Sequence, residues 1–149
     1  MHLVRNAMDH GIEDAETRTA MMLKRLRKLE GARKEMSGPR TYGPEQADVT
    51  LIGWGSTYGA IKEAQDVLQD KGVVVNVLQL NEIWPFPSDA VTSMLGDPVR
   101  SIVIESNATG QLARLIRTET GIKPTANILK FDGRPFSARY IVKELKGIL

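Results

Sequence analysis

The sequence has no cysteine, two histidines and only 5% aromatic residues in 149 positions. The missing thiols exclude disulfides, thiolate nucleophiles, cysteine-ligated zinc and ordinary iron–sulfur ligation. A Ser-His-Asp triad or a histidine metal site has only His2 and His10 to draw on, both near one end of the chain. So few aromatics argue against a base-stacking surface, and no nucleic-acid role is expected. No apolar run approaches the ~18 residues of a membrane span. Met1-His2-Leu3-Val4-Arg5 lacks the hydrophobic core of a signal peptide. A soluble, cytoplasmic chain with no membrane role is expected, poorly equipped to do chemistry alone.

What is present looks globular. Hydrophobic residues make up 42% and charged residues 26%, with a formal net charge of +2. That length suits one compact domain with a short appendage. The composition changes near Gly43, dividing the chain into an N-terminal segment, 1–43, and a domain, 44–149.

The first segment predicts one helix starting around Glu13-Asp14 and stopping at Ser37-Gly38-Pro39. Ala15, Met22, Leu29 and Met36 are seven apart, with Leu26 between, which makes a seam of period 3.5. The seam suits a partner helix, self-association or packing on the chain's own domain. Between residues 14 and 40, eight Lys/Arg face four Asp/Glu, so this stretch carries +4 and the remainder sums to −2. It reads either as a docking surface for an acidic or phosphate-rich partner or as a solvated helix face.

From Pro44 onward, strand and helix signals alternate. Apolar runs at Val49–Ile52, Val73–Leu78, Ser101–Glu105 and Asn127–Phe131 predict four strands. Between them fall helices containing Ala60–Leu68, Val91–Leu95 and Leu112–Ile116, and a last helix carries Ile141, Val142, Leu145 and Ile148. Ser88, Thr109 or Asn107, and Ser137 are the expected caps, and Gly72, Gly96-Asp97-Pro98 and Gly121 the expected stops. Four βα units imply a parallel sheet covered by helices on both faces, with right-handed crossovers. Residues before Ala47 can add an edge strand.

Ligands in such sheets bind outside the carboxyl ends of the strands, which singles out three loops. In Gly53-Trp54-Gly55-Ser56-Thr57-Tyr58-Gly59, the glycines let backbone approach an anion and Ser56 or Thr57 can cap the next helix. The loop lacks the Gly-Lys-Ser/Thr of a Walker A motif and the glycine spacing of the dinucleotide fingerprint. In Glu105-Ser106-Asn107-Ala108-Thr109-Gly110-Gln111, Glu105 can serve as acid, base or partner-facing acceptor, or can hold its own loop amides. In Asp132-Gly133-Arg134-Pro135, Arg134 can hold a carboxylate or phosphate, or can pair with Asp132. Trp84 and Phe86, set between prolines, suit a packed interface.

Taken in order, these segments resemble a known family. They are Glu13-Asp14 with Lys24-Arg25-Leu26, Gly53–Gly59, Pro85-Phe86-Pro87, Glu105–Leu112 and Lys130–Phe136. The chain resembles the C-terminal portion of the α subunit of 2-oxoacid:ferredoxin oxidoreductases, most of all the 2-oxoglutarate type. The resemblance implies a three-layer αβα sandwich, similar to the transketolase C-terminal domain, with a mostly parallel sheet of four to five strands. It implies CoA-dependent oxidative decarboxylation of a 2-oxoacid with ferredoxin as acceptor, performed by a complex. Thiamine diphosphate, magnesium, an iron–sulfur cluster and coenzyme A belong to that complex, with none bound by this chain alone. The implied partners are a β subunit and an N-terminal α domain, and the basic helix reads as the linker between the α-subunit domains. No catalytic or metal-binding residue carries over. What carries over is a set of loop residues facing a ligand or the rest of the complex: Gly53, Gly55, Ser56, Thr57, Glu105, Asn107, Gly110, Gln111, Asp132 and Arg134. The competing expectation is a free-standing αβα module that binds a phosphate-containing ligand at Gly53–Gly59.

Overall fold

The computed structural model describes residues 14–96 and 100–149. Both histidines and the expected stop at Asp97-Pro98 lie outside them. Two compact units divide at Met36/Ser37.

The N-terminal unit contains helix α1, Ala15–Glu35. Asp14 is its N-cap: one carboxylate oxygen accepts from the Thr17 amide at 2.6 Å and the other from the Thr17 hydroxyl at 2.7 Å. These bonds favour the ionised acid and lower its pKa below the usual carboxylate value. None of the helix's residues is buried, and the stripe of Met22, Leu26 and Leu29 is exposed.

The second unit is a sheet with helices on both faces. In chain order it contains β1 (Arg40–Tyr42), β2 (Val49–Trp54), a 3-10 turn (Gly55–Thr57), α2 (Tyr58–Gln69) and β3 (Val75–Leu80). Then come α3 (Ser88–Met94), β4 (Arg100–Glu105), α4 (Gln111–Thr120), β5 (Ala126–Leu129) and α5 (Ala138–Leu145). The five strands lie in the order β1-β3-β2-β4-β5. All neighbours are parallel except β1, which runs antiparallel to β3 with Thr41 opposite Leu78.

The connections explain the layers. The chain steps from β2 to β3 in one direction, then crosses back past β2 to β4 and on to β5. Right-handed crossovers with opposite steps place their helices on opposite faces. One core accordingly gathers Leu51, Val77 and Ile104 with Ile61, Leu68, Ile141 and Leu145 of α2 and α5. The other gathers Ile52, Leu78 and Val103 with Val91, Leu112 and Ile116 of α3 and α4. Alternate residues of each central strand feed opposite cores, so the strands are buried on both faces and mostly apolar, with Thr50, Asn76, Gln79 and Ser101 as buried polar exceptions.

Several boundaries differ from expectation, each for a local reason. Residues 40–44, on the N-terminal side of the composition change and at it, are tied to the sheet. The Gln65 side-chain amide donates to the Tyr42 carbonyl at 3.0 Å and the Val75 carbonyl at 2.9 Å. Asn76 donates to Pro44 at 3.2 Å. Gly43 passes so close that a Cβ would lie 2.4 Å from the Gln65 nitrogen. β3 begins at Val75 because the Val73 amide still bonds Leu68 at the end of α2 (3.1 Å). β5 ends at Leu129, one residue before the Lys130 amide makes a last bond to Glu105 (3.1 Å), and the turn beyond is closed by Asp132, which accepts the Arg134 amide at 3.0 Å. Ser88 is the first helical residue of α3 and Pro87 its cap. Ser137 does cap α5, accepting from the Tyr140 amide at 3.3 Å.

Candidate functional site: the cleft at the strand carboxyl ends

β2 and β4 are neighbours whose following connections leave in opposite directions, to β3 and to β5. Their diverging loops leave a crevice at this topological switch point. A cleft of about 280 Å³ lies there, lined by Trp54, Gly55, Ser56, Thr57, Ser106, Asn107 and Gln111. Five of the residues singled out from sequence therefore meet: Gly55, Ser56, Thr57, Asn107 and Gln111. Trp54 and Ser106 join them, each adjacent in sequence to a selected residue.

The wall from β4 is built around Glu105, which is fully buried. Its carboxylate accepts from the Leu112 amide at 2.7 Å, the Ala113 amide at 3.0 Å and the Asn107 side-chain amide at 2.8 Å. Asn107 in turn accepts from the amides of Thr109, Gly110 and Gln111 at 3.0, 2.7 and 3.3 Å. Two side chains thus satisfy the otherwise unpaired amides at the start of α4, and the negative carboxylate faces the positive end of the helix dipole. Gly110 makes this possible by turning into the left-handed region at φ 64°. The expected cap, Thr109 or Asn107, is thereby revised: Gly110 is the N-cap residue, and the acceptors come from upstream.

The wall from β2 works differently. Thr57 is buried and its hydroxyl donates to the Trp54 carbonyl at 2.9 Å while accepting the Trp54 amide at 3.3 Å. Neither Ser56 nor Thr57 caps α2 with its side chain, contrary to expectation, because the hydroxyl of Thr57 is committed to the 3-10 turn. Ser56 is exposed at the cleft. Gly53 lies beneath, where a Cβ would sit 2.2 Å from Ile61 Cδ1 and 2.9 Å from the Thr57 hydroxyl.

Asp132 and Arg134 follow β5 and do not line the cleft. The expected pairing of Arg134 with Asp132 takes another form: Asp132 pairs with the Lys130 ammonium and accepts the Arg134 backbone amide at 3.0 Å. The Lys130 hydrogen bond, then the amide, lower the Asp132 pKa. Of the two expected interface aromatics, Phe86 is buried in a core and Trp84 is 64% exposed after β3. Phe131, 73% exposed after β5, is a second exposed aromatic; expected as the last residue of the fourth strand, Asn127–Phe131, it lies beyond that strand, which instead ends at Leu129. Among the described residues no three His, Asp or Glu side chains come together as metal ligands.

The family model for pyruvate:ferredoxin oxidoreductase core domain II matches residues 47–141. The chain belongs to this family. Within it, the α subunit of 2-oxoacid:ferredoxin oxidoreductase 2 from Aeropyrum pernix is 36% identical over 143 residues. That match covers 94% of this chain and 22% of the relative. The chain spans about a fifth of the length of the curated relatives it matches, and is part of a 2-oxoacid:ferredoxin oxidoreductase α subunit. The structure of 2-oxoglutarate:ferredoxin oxidoreductase from Magnetococcus marinus, with 2-oxoglutarate, coenzyme A and succinyl-CoA bound, superposes with a TM-score of 0.82 and 31% identity. It covers 91% of this chain and 24% of that one. A Pichia stipitis transketolase (TM-score 0.52, 20% identity, 72% of this chain and 15% of that one) shares the fold.

Proposed function

We propose that this chain is the assembly domain of an oxidoreductase acting on 2-oxoglutarate, with coenzyme A as acyl acceptor and ferredoxin as electron acceptor. The observation that carries this reading is the likeness to the Magnetococcus marinus enzyme over nearly the whole chain. The geometry supports a non-catalytic share of the work. Glu105, the carboxylate nearest the cleft, spends both oxygens on its own helix amides and is fully buried. It is thus a structural acceptor, buried behind the residues that line the cleft. The rest of the complex supplies thiamine diphosphate and magnesium for decarboxylation and a cluster for electron transfer. This chain supplies surface.

In this reading the carboxyl-end loops face the β subunit and the remaining α-subunit domain, close to bound coenzyme A. Exposed Trp84 and Phe131 are the anchors, since large aromatics at the centre of an interface dominate its binding energy. α1 is the linker helix, and its exposed Met22-Leu26-Leu29 stripe is a further contact or a self-association seam.

Reconstitution tests the proposal. The chain is mixed with the β subunit and the remaining α-subunit region, and CoA-dependent ferredoxin reduction is assayed with 2-oxoglutarate, pyruvate and branched 2-oxoacids. Activity only in the full mixture, highest with 2-oxoglutarate, is expected. Activity with another 2-oxoacid overturns the substrate assignment, and failure to associate overturns the assembly role. In that event the cleft is tested as a phosphate-ligand site by the Ser56→Ala, Thr57→Ala double variant.

A further inference from the structure

Away from the carboxyl-end loops, the outer surface of the α2/α5 layer carries a groove of about 440 Å³. Its floor is apolar, formed by partly exposed Val67 of α2 beside Ala138 and Val142 of α5, which are already buried in the domain's own core. Its rim is basic: Lys71 follows α2, and Arg139, Lys143 and Lys146 run along α5. Glu63 is the one carboxylate among the lining residues.

The spacing of the α5 cations is i, i+4, i+7, which sets them in a single row along one side of the helix. All three are exposed, and among the described residues none lies within ion-pair distance of a carboxylate. Helix polarity accounts for part of the pattern. Lys71 and Lys146 sit at helix carboxyl ends, where a cation is favoured. Arg139 does not: it stands in the first turn of α5, against the dipole, and that turn carries no acidic residue. Lys143, one turn on, repels it. A row that weakens its own helix and forms no ion pair among the described residues is matched to negative charge from outside.

We infer that this groove docks an acidic amphipathic helix of a partner protein. An apolar side chain of that helix seats on Val67, and its flanking carboxylates meet Arg139, Lys143 and Lys146. The cation row spans ~10 Å, about two helical turns. The apolar floor and the 5% aromatic content favour a helix over a nucleic acid strand. The inference is independent of the assembly role, because the groove lies on the helix layer and the proposed anchors Trp84 and Phe131 lie at strand carboxyl ends.

The test is fluorescence anisotropy of the full chain with a labelled helical peptide of about 18 residues, bearing a leucine face flanked by glutamates at i, i+4 spacing. Saturable binding near about 10 µM is expected, weakened at least about tenfold by Arg139→Glu with Lys143→Glu. A peptide with lysine replacing glutamate should bind that variant better than it binds the parent. Val67→Thr should also weaken the glutamate peptide. Circular dichroism checks folding, and Arg139→Gln with Lys143→Gln carries the same test if the reversal unfolds the chain. Equal binding of a scrambled peptide, insensitivity to Val67→Thr, or no binding at all would each overturn the inference.

Discussion

The two walls of the cleft start from the same problem and solve it in opposite ways. Each is a loop joining a parallel strand to a helix whose first amides need acceptors. On the β4 side a buried carboxylate and an asparagine accept five backbone amides between them. On the β2 side a threonine ties a 3-10 turn to Trp54, and no side chain caps the helix. One wall is closed by charge and hydrogen bonds, the other by close packing over Gly53. The contrast separates rigidity from chemistry: Glu105 and Asn107 are already spent on the backbone, and what the β4 wall leaves open to a ligand is Ser106 and Gln111.

Substitutions on the two walls should therefore differ in size and kind. Glu105→Ala should have the largest effect, because it leaves two buried amides without acceptors. A loss of about 3–4 kcal/mol in urea unfolding is expected, with Glu105→Gln milder because it retains one acceptor. A loss below about 1 kcal/mol for the alanine variant would break the comparison. Gly53→Ala comes next, at about 2 kcal/mol, since its Cβ must displace Ile61 Cδ1 inside a packed core. Thermal unfolding would read it, and an unchanged midpoint would mean the β2 wall is looser than the structure shows. Asn107→Ala should cost about 1 kcal/mol, as for loss of a helix cap, with hydrogen exchange accelerating at Thr109, Gly110 and Gln111. Ser56→Ala should be smallest, within about 0.5 kcal/mol, because the side chain is exposed and makes no hydrogen bond. A larger effect from Ser56→Ala would show that the open wall is also structural.

Much of the fold was legible because its cause is local. Val49–Ile52 and Ser101–Glu105 are short, largely apolar and β-branched stretches ending in glycine-rich or polar loops, and each became a parallel strand. Gly121 was readable as a helix stop because a residue there must take φ near 77°, which glycine does without strain. The convergence of Ser56 and Asn107 followed from loop position and the carboxyl-end rule. What escaped has causes distant in sequence. Glu105 holds α4 from seven and eight residues upstream, a reach no capping pattern encodes. The edge strand expected before Ala47 falls at Arg40–Tyr42, a position set by Gln65 and β3 and not by any signal within the segment itself. Phe131 sits in an apolar run, yet it stands at the start of a turn closed by the Arg134 amide on Asp132. The selection of Asp132 and Arg134 for the same neighbourhood as Ser56 relied on loop type, and strand order places β5 one position beyond β4.

The edges of the sheet carry a last consequence. One edge is a strand of three residues beginning with Arg40, the other a strand of four. Such short margins give an incoming strand few backbone groups to pair with, which discourages edge-to-edge growth. They also limit how this domain can be joined to anything else, since extension of the sheet, a common mode of recognition, has little purchase here. Association must then be read out by side chains on loops and helices. Substitutions there can retune a contact while leaving the hydrogen-bonded frame as it is.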